Sequence, residues 1–253
     1  MSGHIKSTIL NGINTIQFYH PQSNSLPGDL LRQLAQEIKR AGNDSKTKVI
    51  ILQSEGDKTF CAGASFDELL SIKDIETGKK FFSGFAEVIN AMRKTPQFII
   101  ASVQGKAVGG GVGIAAAADY ALASESASIK LSELAVGIGP FVVGPAVERK
   151  IGTAAFTTLA INATNWQTAQ WAQQNGLYAN VFKTIEELTS AVSELALKLS
   201  TSNPEAMAML KNIFWKGTEH WDNLLIERAE MSGKLVLSDF TVNAIEKFKT
   251  KQS

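Results

Sequence analysis

Short apolar runs alternate with helix-length amphipathic stretches over most of the chain, and this pattern predicts strands interleaved with helices. Residues 8–10, 15–18, 49–52 and 98–103 are short, apolar and partly β-branched, which predicts strands. Residues 28–41 and 74–93 repeat apolar positions at helical period and predict helices. The run 108–118 is apolar throughout and reads as a buried helix, entered from a glycine triplet and ending near Asp119. Beyond about Thr184 strand-like runs cease, and residues 185–200, 204–216, 221–238 and 240–249 all read as helices. Such alternation implies right-handed crossovers and sheet layers covered by helices, an α/β fold class. No tandem repeat or low-complexity segment interrupts it.

Two of the predicted strand-to-helix junctions are built from small residues. Phe60-Cys61-Ala62-Gly63-Ala64-Ser65 follows the run 49–52, and Ala107-Val108-Gly109-Gly110-Gly111-Val112-Gly113 follows the run 98–103. Glycine lets a ligand approach the backbone closely, and an N–H left free at a helix start points along the helix dipole toward negative charge. Two such turns either hold one oxyanion between them or simply allow tight helix-on-strand packing. Just downstream, Leu131-Ser132-Glu133-Leu134-Ala135-Val136-Gly137-Ile138-Gly139-Pro140 sets Glu133 in a largely apolar stretch. Burial there would raise its pKa toward neutrality and fit it for proton transfer; left on the surface it would be an ordinary carboxylate.

Composition narrows the field only a little. Lys+Arg 25 against Asp+Glu 24 leaves no excess charge to attract nucleic acid or an anionic membrane. The residues from Met1 to Lys6 hold no hydrophobic signal core, and no apolar stretch approaches the roughly 20 residues of a membrane span. Cys61 is the only cysteine, which excludes an intrachain disulfide and a cysteine-based metal site and fits a reducing cytoplasm. It lies inside the first turn and reads as a small buried residue more readily than as a nucleophile, because no histidine partners it. His4, His20 and His220 are scattered without ligand spacing, so no metal is expected.

In order along the chain, Phe60-Cys61-Ala62-Gly63-Ala64, then Lys94-Thr95-Pro96-Gln97-Phe98-Ile99-Ile100-Ala101-Ser102-Val103-Gln104-Gly105, then Val108-Gly109-Gly110-Gly111, Asp119-Tyr120-Ala121-Leu122-Ala123 and Ser132-Glu133 form a series. Ala169-Gln170-Trp171-Ala172-Gln173-Gln174-Asn175-Gly176-Leu177 closes it. With these motifs the chain resembles the crotonase superfamily, the enoyl-CoA hydratases and isomerases, over nearly its whole length. The resemblance implies a ββα spiral core over residues 1–183 and a C-terminal α-helical trimerisation region over 184–253, assembled as a homotrimer or hexamer. It implies an enzyme whose substrate is an acyl-CoA thioester, with CoA as part of the substrate and no separate cofactor. Ala64 and Gly110 would supply the backbone N–H donors of an oxyanion hole, and Glu133 would be the acid/base. Ala62 and Phe66 would line the CoA channel, with Gly109 and Gly113 as further substrate-binding positions. The basic tail from Ile245 to Lys251 either reaches the CoA phosphates or merely solubilises the end of the chain.

This sequence departs from the hydratase pattern at one decisive place. Hydratases employ two glutamates; Glu133 matches the second, and the first falls at Gly113. Hydration needs a water held and deprotonated while a proton reaches the α-carbon, whereas moving a double bond needs one base to carry a proton from the α- to the γ-carbon. Residues 139–152 also lack the Pro-Gly-x-Gly-Gly pattern of hydratases and look more like a mitochondrial-type isomerase. Double-bond isomerisation is therefore favoured, with an enoyl-CoA hydratase, including a branched-chain one, as the alternative. A non-catalytic acyl-thioester binding protein is a further alternative. Ser65 replaces the aspartate that commonly follows the oxyanion alanine, with Asp67 and Glu68 nearby, and Glu148 is the candidate for a substitute second acid. Phe214, Trp215, Trp221 and Phe240 are left as either core or interface.

Overall fold

Strands β1 (His4–Leu10) and β2 (Ile13–Tyr19) open the chain as an antiparallel hairpin, followed by helix α1 (Gly28–Asn43). Then come β3 (Val49–Ser54), β4 (Thr59–Cys61), α2 (Phe66–Ser71) and α3 (Ile75–Lys94), and next β5 (Phe98–Val103), β6 (Lys106–Val108) and α4 (Gly110–Ala117). A third round brings β7 (Tyr120–Ser124), β8 (Ile129–Lys130), a 3₁₀ turn at Leu134–Val136 and α5 (Gly144–Ile161). The remainder is α6 (Ala169–Gln174), β9 (Asn180–Phe182), α7 (Ile185–Ser200), α8 (Pro204–Phe214), α9 (Trp221–Leu235) and α10 (Asp239–Thr250). These elements come from a computed structural model that describes residues 3–250. Met1, Ser2 and Lys251, on which the readings of the amino terminus and the basic tail partly rest, lie outside the described residues, as do the side chains of residues 248–250.

Each round of the chain lays one strand in each of two sheets. The larger sheet has the order β1-β2-β3-β5-β7-β9 and is parallel after its first pair; the smaller, β4-β6-β8, is parallel throughout. Strand β3 continues into β4, β5 into β6 and β7 into β8, and a helix then returns the chain to the larger sheet. The result is the expected ββα spiral. The helices form where apolar faces recur: α1 buries Leu30, Leu31, Leu34 and Ile38, and α3 buries Phe81, Phe82, Phe85 and Ile89. Helix α3 starts one residue later than the sequence predicts because the Asp74 side chain caps it, accepting from the Thr77 N–H at 2.8 Å. Helix α4 is buried at all eight positions, so its sequence shows no amphipathic period.

The later helices fold back on this spiral. Leu188, Val192 and Ala196 of α7 cover Val49, Ile51, Ile100 and Leu122 of the larger sheet. Helices α3 and α9 meet backbone to backbone, since a Cβ built on Gly78 would lie 2.8 Å from the Gly233 Cα. Helix α8 is pinned by a buried polar clamp: Lys211 Nζ sits 2.8 Å from Asp119 Oδ2 and donates to the Gln97 carbonyl at 2.7 Å, while Trp215 Nε1 donates to Asp119 Oδ1 at 2.9 Å. Asp119 Oδ2 also accepts from the Ile99 N–H. Trp215 and Trp221 are buried edge to face, whereas Phe214 and Phe240 are exposed. The aromatic quartet thus divides into a core pair and a surface pair.

Candidate functional site

The carboxyl ends of the three strands of the smaller sheet lead directly into the three sequence features singled out above. Cys61 of β4 pairs with Ala107 of β6, and Val108 of β6 pairs with Lys130 of β8. Just beyond these ends stand Ala64, Gly110 and Glu133. Sites at the carboxyl ends of parallel strands are a general outcome of this topology.

The two small-residue turns are in backbone contact. Gly63 has φ +83°, and a Cβ there would lie 2.8 Å from the Val108 carbonyl oxygen and 3.3 Å from the Gly110 nitrogen, so only glycine fits. The first turn is held because Ala62 N–H donates to Ser23 O at 3.1 Å and Leu26 N–H to Gly63 O at 2.8 Å. In the second, Gly109 N–H donates to Lys130 O at 2.8 Å, and the Gly109 carbonyl accepts from Val112 and Gly113. The N–H groups of Ala64 and Gly110 find no acceptor among the described residues, and both residues line one cavity. Unpaired backbone donors on a cavity wall can stabilise an oxyanion formed there.

Glu133 lines the same cavity and is the only ionisable residue on its wall among the described residues. The residue keeps some accessible surface, but its Oε2 is sealed from solvent and has no hydrogen-bond partner. Burial pushes the carboxyl pKa up to about 7, against a smaller opposing effect of its own backbone N–H. Its backbone is fixed by a tight turn in which the Glu133 carbonyl accepts from Val136 at 3.2 Å and Ile138 at 3.0 Å. Beyond that turn, a Cβ on Gly137 would run into Phe240 and Thr241 of α10.

Ala62, Ala64, Phe66, Gly109, Gly110 and Glu133 all stand on the cavity wall. Gly113 does not: it lies within α4, and a Cβ there would come 2.5 Å from Cβ and Cγ1 of Val143, which does line the cavity. Val143 therefore fills the place into which a side chain at position 113 would project. Glu148 is also off the wall, accepting instead from Thr153 Oγ1 at 2.8 Å. Ser65 caps α2 by accepting from the Glu68 N–H, Glu68 accepts from the Gly28 N–H at the start of α1, and Asp67 accepts from Gln22 Nε2. Cys61 is buried, with its thiol pushed up to about 12 by burial, so it is no nucleophile at neutral pH.

The rest of the wall escaped the sequence reading. It includes Phe82 and Phe85 of α3, Ile138, Phe141, Val142 and Val143. In the sequence the phenylalanines look like any other apolar positions at helical spacing, and only the absence of side chains from Gly110 hints at the ring beside it. A Cβ on Gly110 would collide with Phe85.

A family model described as enoyl-CoA hydratase/isomerase matches residues 8–249. The chain belongs to the enoyl-CoA hydratase/isomerase family. Within this family, a protein named "Probable enoyl-CoA hydratase" of Bacillus subtilis (strain 168) is 26% identical over 95% of this chain and 93% of its own length. The mitochondrial methylglutaconyl-CoA hydratase of Rattus norvegicus is 32% identical, over 78% of this chain and 63% of its own. The crystal structure of enoyl-CoA hydratase from Bacillus halodurans superposes with a TM-score of 0.88 at 22% identity, covering 96% of this chain and 99% of that one. The fold is that of the crotonases. As a member of the enoyl-CoA hydratase/isomerase family, the protein is an enzyme acting on an acyl-CoA thioester. No helix among the described residues is long and apolar enough to cross a membrane.

Proposed function

We propose that this enzyme shifts the double bond of an enoyl-CoA, with Glu133 carrying the proton and the Ala64 and Gly110 N–H groups holding the thioester oxygen. The reading is carried by one observation: the one carboxylate on the cavity wall among the described residues has its Oε2 sealed and unpartnered and its pKa raised to about 7, beside two turns with unpaired donors. A base of that pKa is half ionised near neutral pH and able to take a proton from an α-carbon acidified by the thioester. The electrons pass onto the thioester oxygen, where two backbone dipoles stabilise the enolate. Return of the same proton at the γ-carbon completes the isomerisation. A general acid/base supplies on the order of 10²–10⁴ in rate, and an oxyanion donor about 10²–10³.

Hydration is the second reading, favoured by the names of the relatives. Against it stands another part of the wall: Val143 packs over Gly113, and among the described residues no second carboxylate lines the cavity to hold a water. The exposed apolar residues Met209, Leu210, Ile213 and Phe214 of α8 fit burial in a homotrimer or hexamer, for which light scattering should give three or six chain masses. The cytoplasm suits a chain with one buried thiol.

A panel of α,β- and β,γ-enoyl-CoA thioesters assayed in buffered D₂O tests the catalytic reading. Deuterium entering the α- or γ-carbon reports the enolate, and the product ratio separates isomerisation from hydration. Binding with neither exchange nor conversion would make the protein an acyl-thioester binder instead.

A further inference from the structure

The cavity that Glu133 shares with the two turns measures only about 70 Å³. That is roughly half of the ~150 Å³ apolar cavity that accommodates benzene, so it has room for about three carbons. Helix α3 contributes two rings to its wall. Phe85 stacks against Gly110 beside the unpaired donors, Phe82 follows on the same helix face one turn earlier, and Gly78 follows Phe82 by another turn. At Gly78 the helix touches the backbone of Gly233, and the neighbouring Ser232 lines the cavity, so the two helices are held together beside this part of the wall. Phe82 is on the wall, its ring held edge to face at 5.3 Å by Phe81.

The wall also lacks a cation. Ser232 Oγ donates to the Arg228 carbonyl at 3.3 Å, and among the described residues no Lys, Arg or His lines the cavity. An acyl tail ending in a carboxylate would meet no cation on the described wall and would share a small space with Glu133. An unpaired charge in such a place is strongly disfavoured.

We infer that the enzyme takes a short, uncharged acyl group of three to four carbons, counted from the thioester carbonyl, and that Phe82 sets the limit. The inference rests on the acyl-thioester reading above and adds chain length and charge to it. Because all acyl-CoA thioesters share the CoA part, only the acyl end distinguishes them in binding.

Calorimetric titration with butyryl-, octanoyl- and glutaryl-CoA tests it, on the wild-type protein and on Phe82→Ala and Phe82→Leu. Butyryl-CoA should bind wild type at least tenfold more tightly than octanoyl- or glutaryl-CoA. Phe82→Ala should raise the octanoyl-to-butyryl affinity ratio at least tenfold while leaving glutaryl-CoA disfavoured, because it adds space and no charge. Phe82→Leu, the safer variant for folding, should move the ratio in the same direction by less. Equal binding of butyryl- and octanoyl-CoA by wild type, or an unchanged ratio in both folded variants, overturns the inference and leaves the catalytic reading standing. Failure of all three thioesters to bind folded wild type overturns both.

Discussion

The carboxylate of Glu133 lies directly against the backbone of Gly109: a Cβ built on Gly109 would stand 3.0 Å from Oε1 and 3.3 Å from Cδ. Gly109 also has φ +52° and ψ −115°, a conformation closed to residues with a side chain. The residue between the Val108 strand end and the Gly110 donor thus sets where the carboxylate sits. Gly109→Ala should displace Glu133 and twist the Gly110 N–H together, so kcat should fall by about 10² or more with a much smaller loss in binding of a saturated thioester. Near-normal kcat in folded Gly109→Ala would separate the carboxylate from this turn.

Burial of Glu133 sets opposite demands on stability and activity. Its folded pKa of about 7 lies above the ordinary 4.5, so the folded state holds this proton more tightly than the unfolded state. Its effect on stability is fully favourable below about pH 4.5, and it is lost as pH rises from 4.5 through 7. The loss is at most ~3 kcal/mol. Glu133→Gln should therefore melt higher than wild type at pH 8 and equally at pH 4, while catalysis falls by roughly 10² or more. As a base the group must be ionised, so wild-type kcat/KM should rise through about pH 7. A thermal scan at the two pH values and a pH–rate profile check both halves.

Gly113 and Val143 must be changed together to test the missing acid. Alone, Gly113→Glu drives a side chain into Val143 and leaves a charge in the apolar interior, so destabilisation by about 2 kcal/mol or more is expected without new hydration. Pairing it with Val143→Gly removes the side chain that a residue at 113 would meet and opens a path toward the cavity that Glu133 lines. The double variant should raise the ratio of hydrated to isomerised product above both single variants. A wild type that already hydrates efficiently, with no response in the double variant, would make the hydratase reading the better one.

Most of the strands and helices that were legible in the sequence are those long enough to show a period; α4 was read instead from its unbroken apolar run, and of β1 only residues 8–10 were read. The runs 49–52 and 98–103 became β3 and β5, and 28–41, 74–93 and 185–200 became α1, α3 and α7 within a residue or two. Strands β4, β6, β8 and β9 hold two or three residues each, too few for alternation to register, and α5 is broken at Gly152, where φ is +76°. The two turns and Glu133 were readable because small residues and a lone carboxylate stand out in apolar surroundings. Phe82 and Val143 were not, since a residue facing a cavity and one facing the core have the same chemistry. Nor did the sequence divide the aromatic quartet, because burial of Trp215 depends on Asp119, far away in the chain.

The clamp around Asp119 gives a stability prediction independent of catalysis. Lys211 is fully buried, and desolvation lowers its pKa while Asp119 raises it. Lys211→Ala would leave the Asp119 carboxylate with the Ile99 and Trp215 N–H groups as donors and with Arg149 and Lys150 as the remaining cations acting on it, and should cost ~1–3 kcal/mol. Lys211→Met keeps the volume but not the charge and should cost about as much, because neither the ion pair nor the bond to the Gln97 carbonyl is restored. Chemical denaturation distinguishes this from a packing effect, in which Met would largely rescue Ala.

The smaller sheet spreads one site over three successive coils of the spiral, and this orders events in time. Helices such as α1 and α3 close contacts between neighbours in the chain, but Cys61 finds Ala107, and Val108 finds Lys130, only after whole coils have been wound. Pairings between distant residues are the slow part of folding. A refolding chain should regain its helical circular dichroism before any turnover, with activity appearing in a later phase as the three strand ends come into register. Competence for chemistry is in this sense a property of the last rung to close.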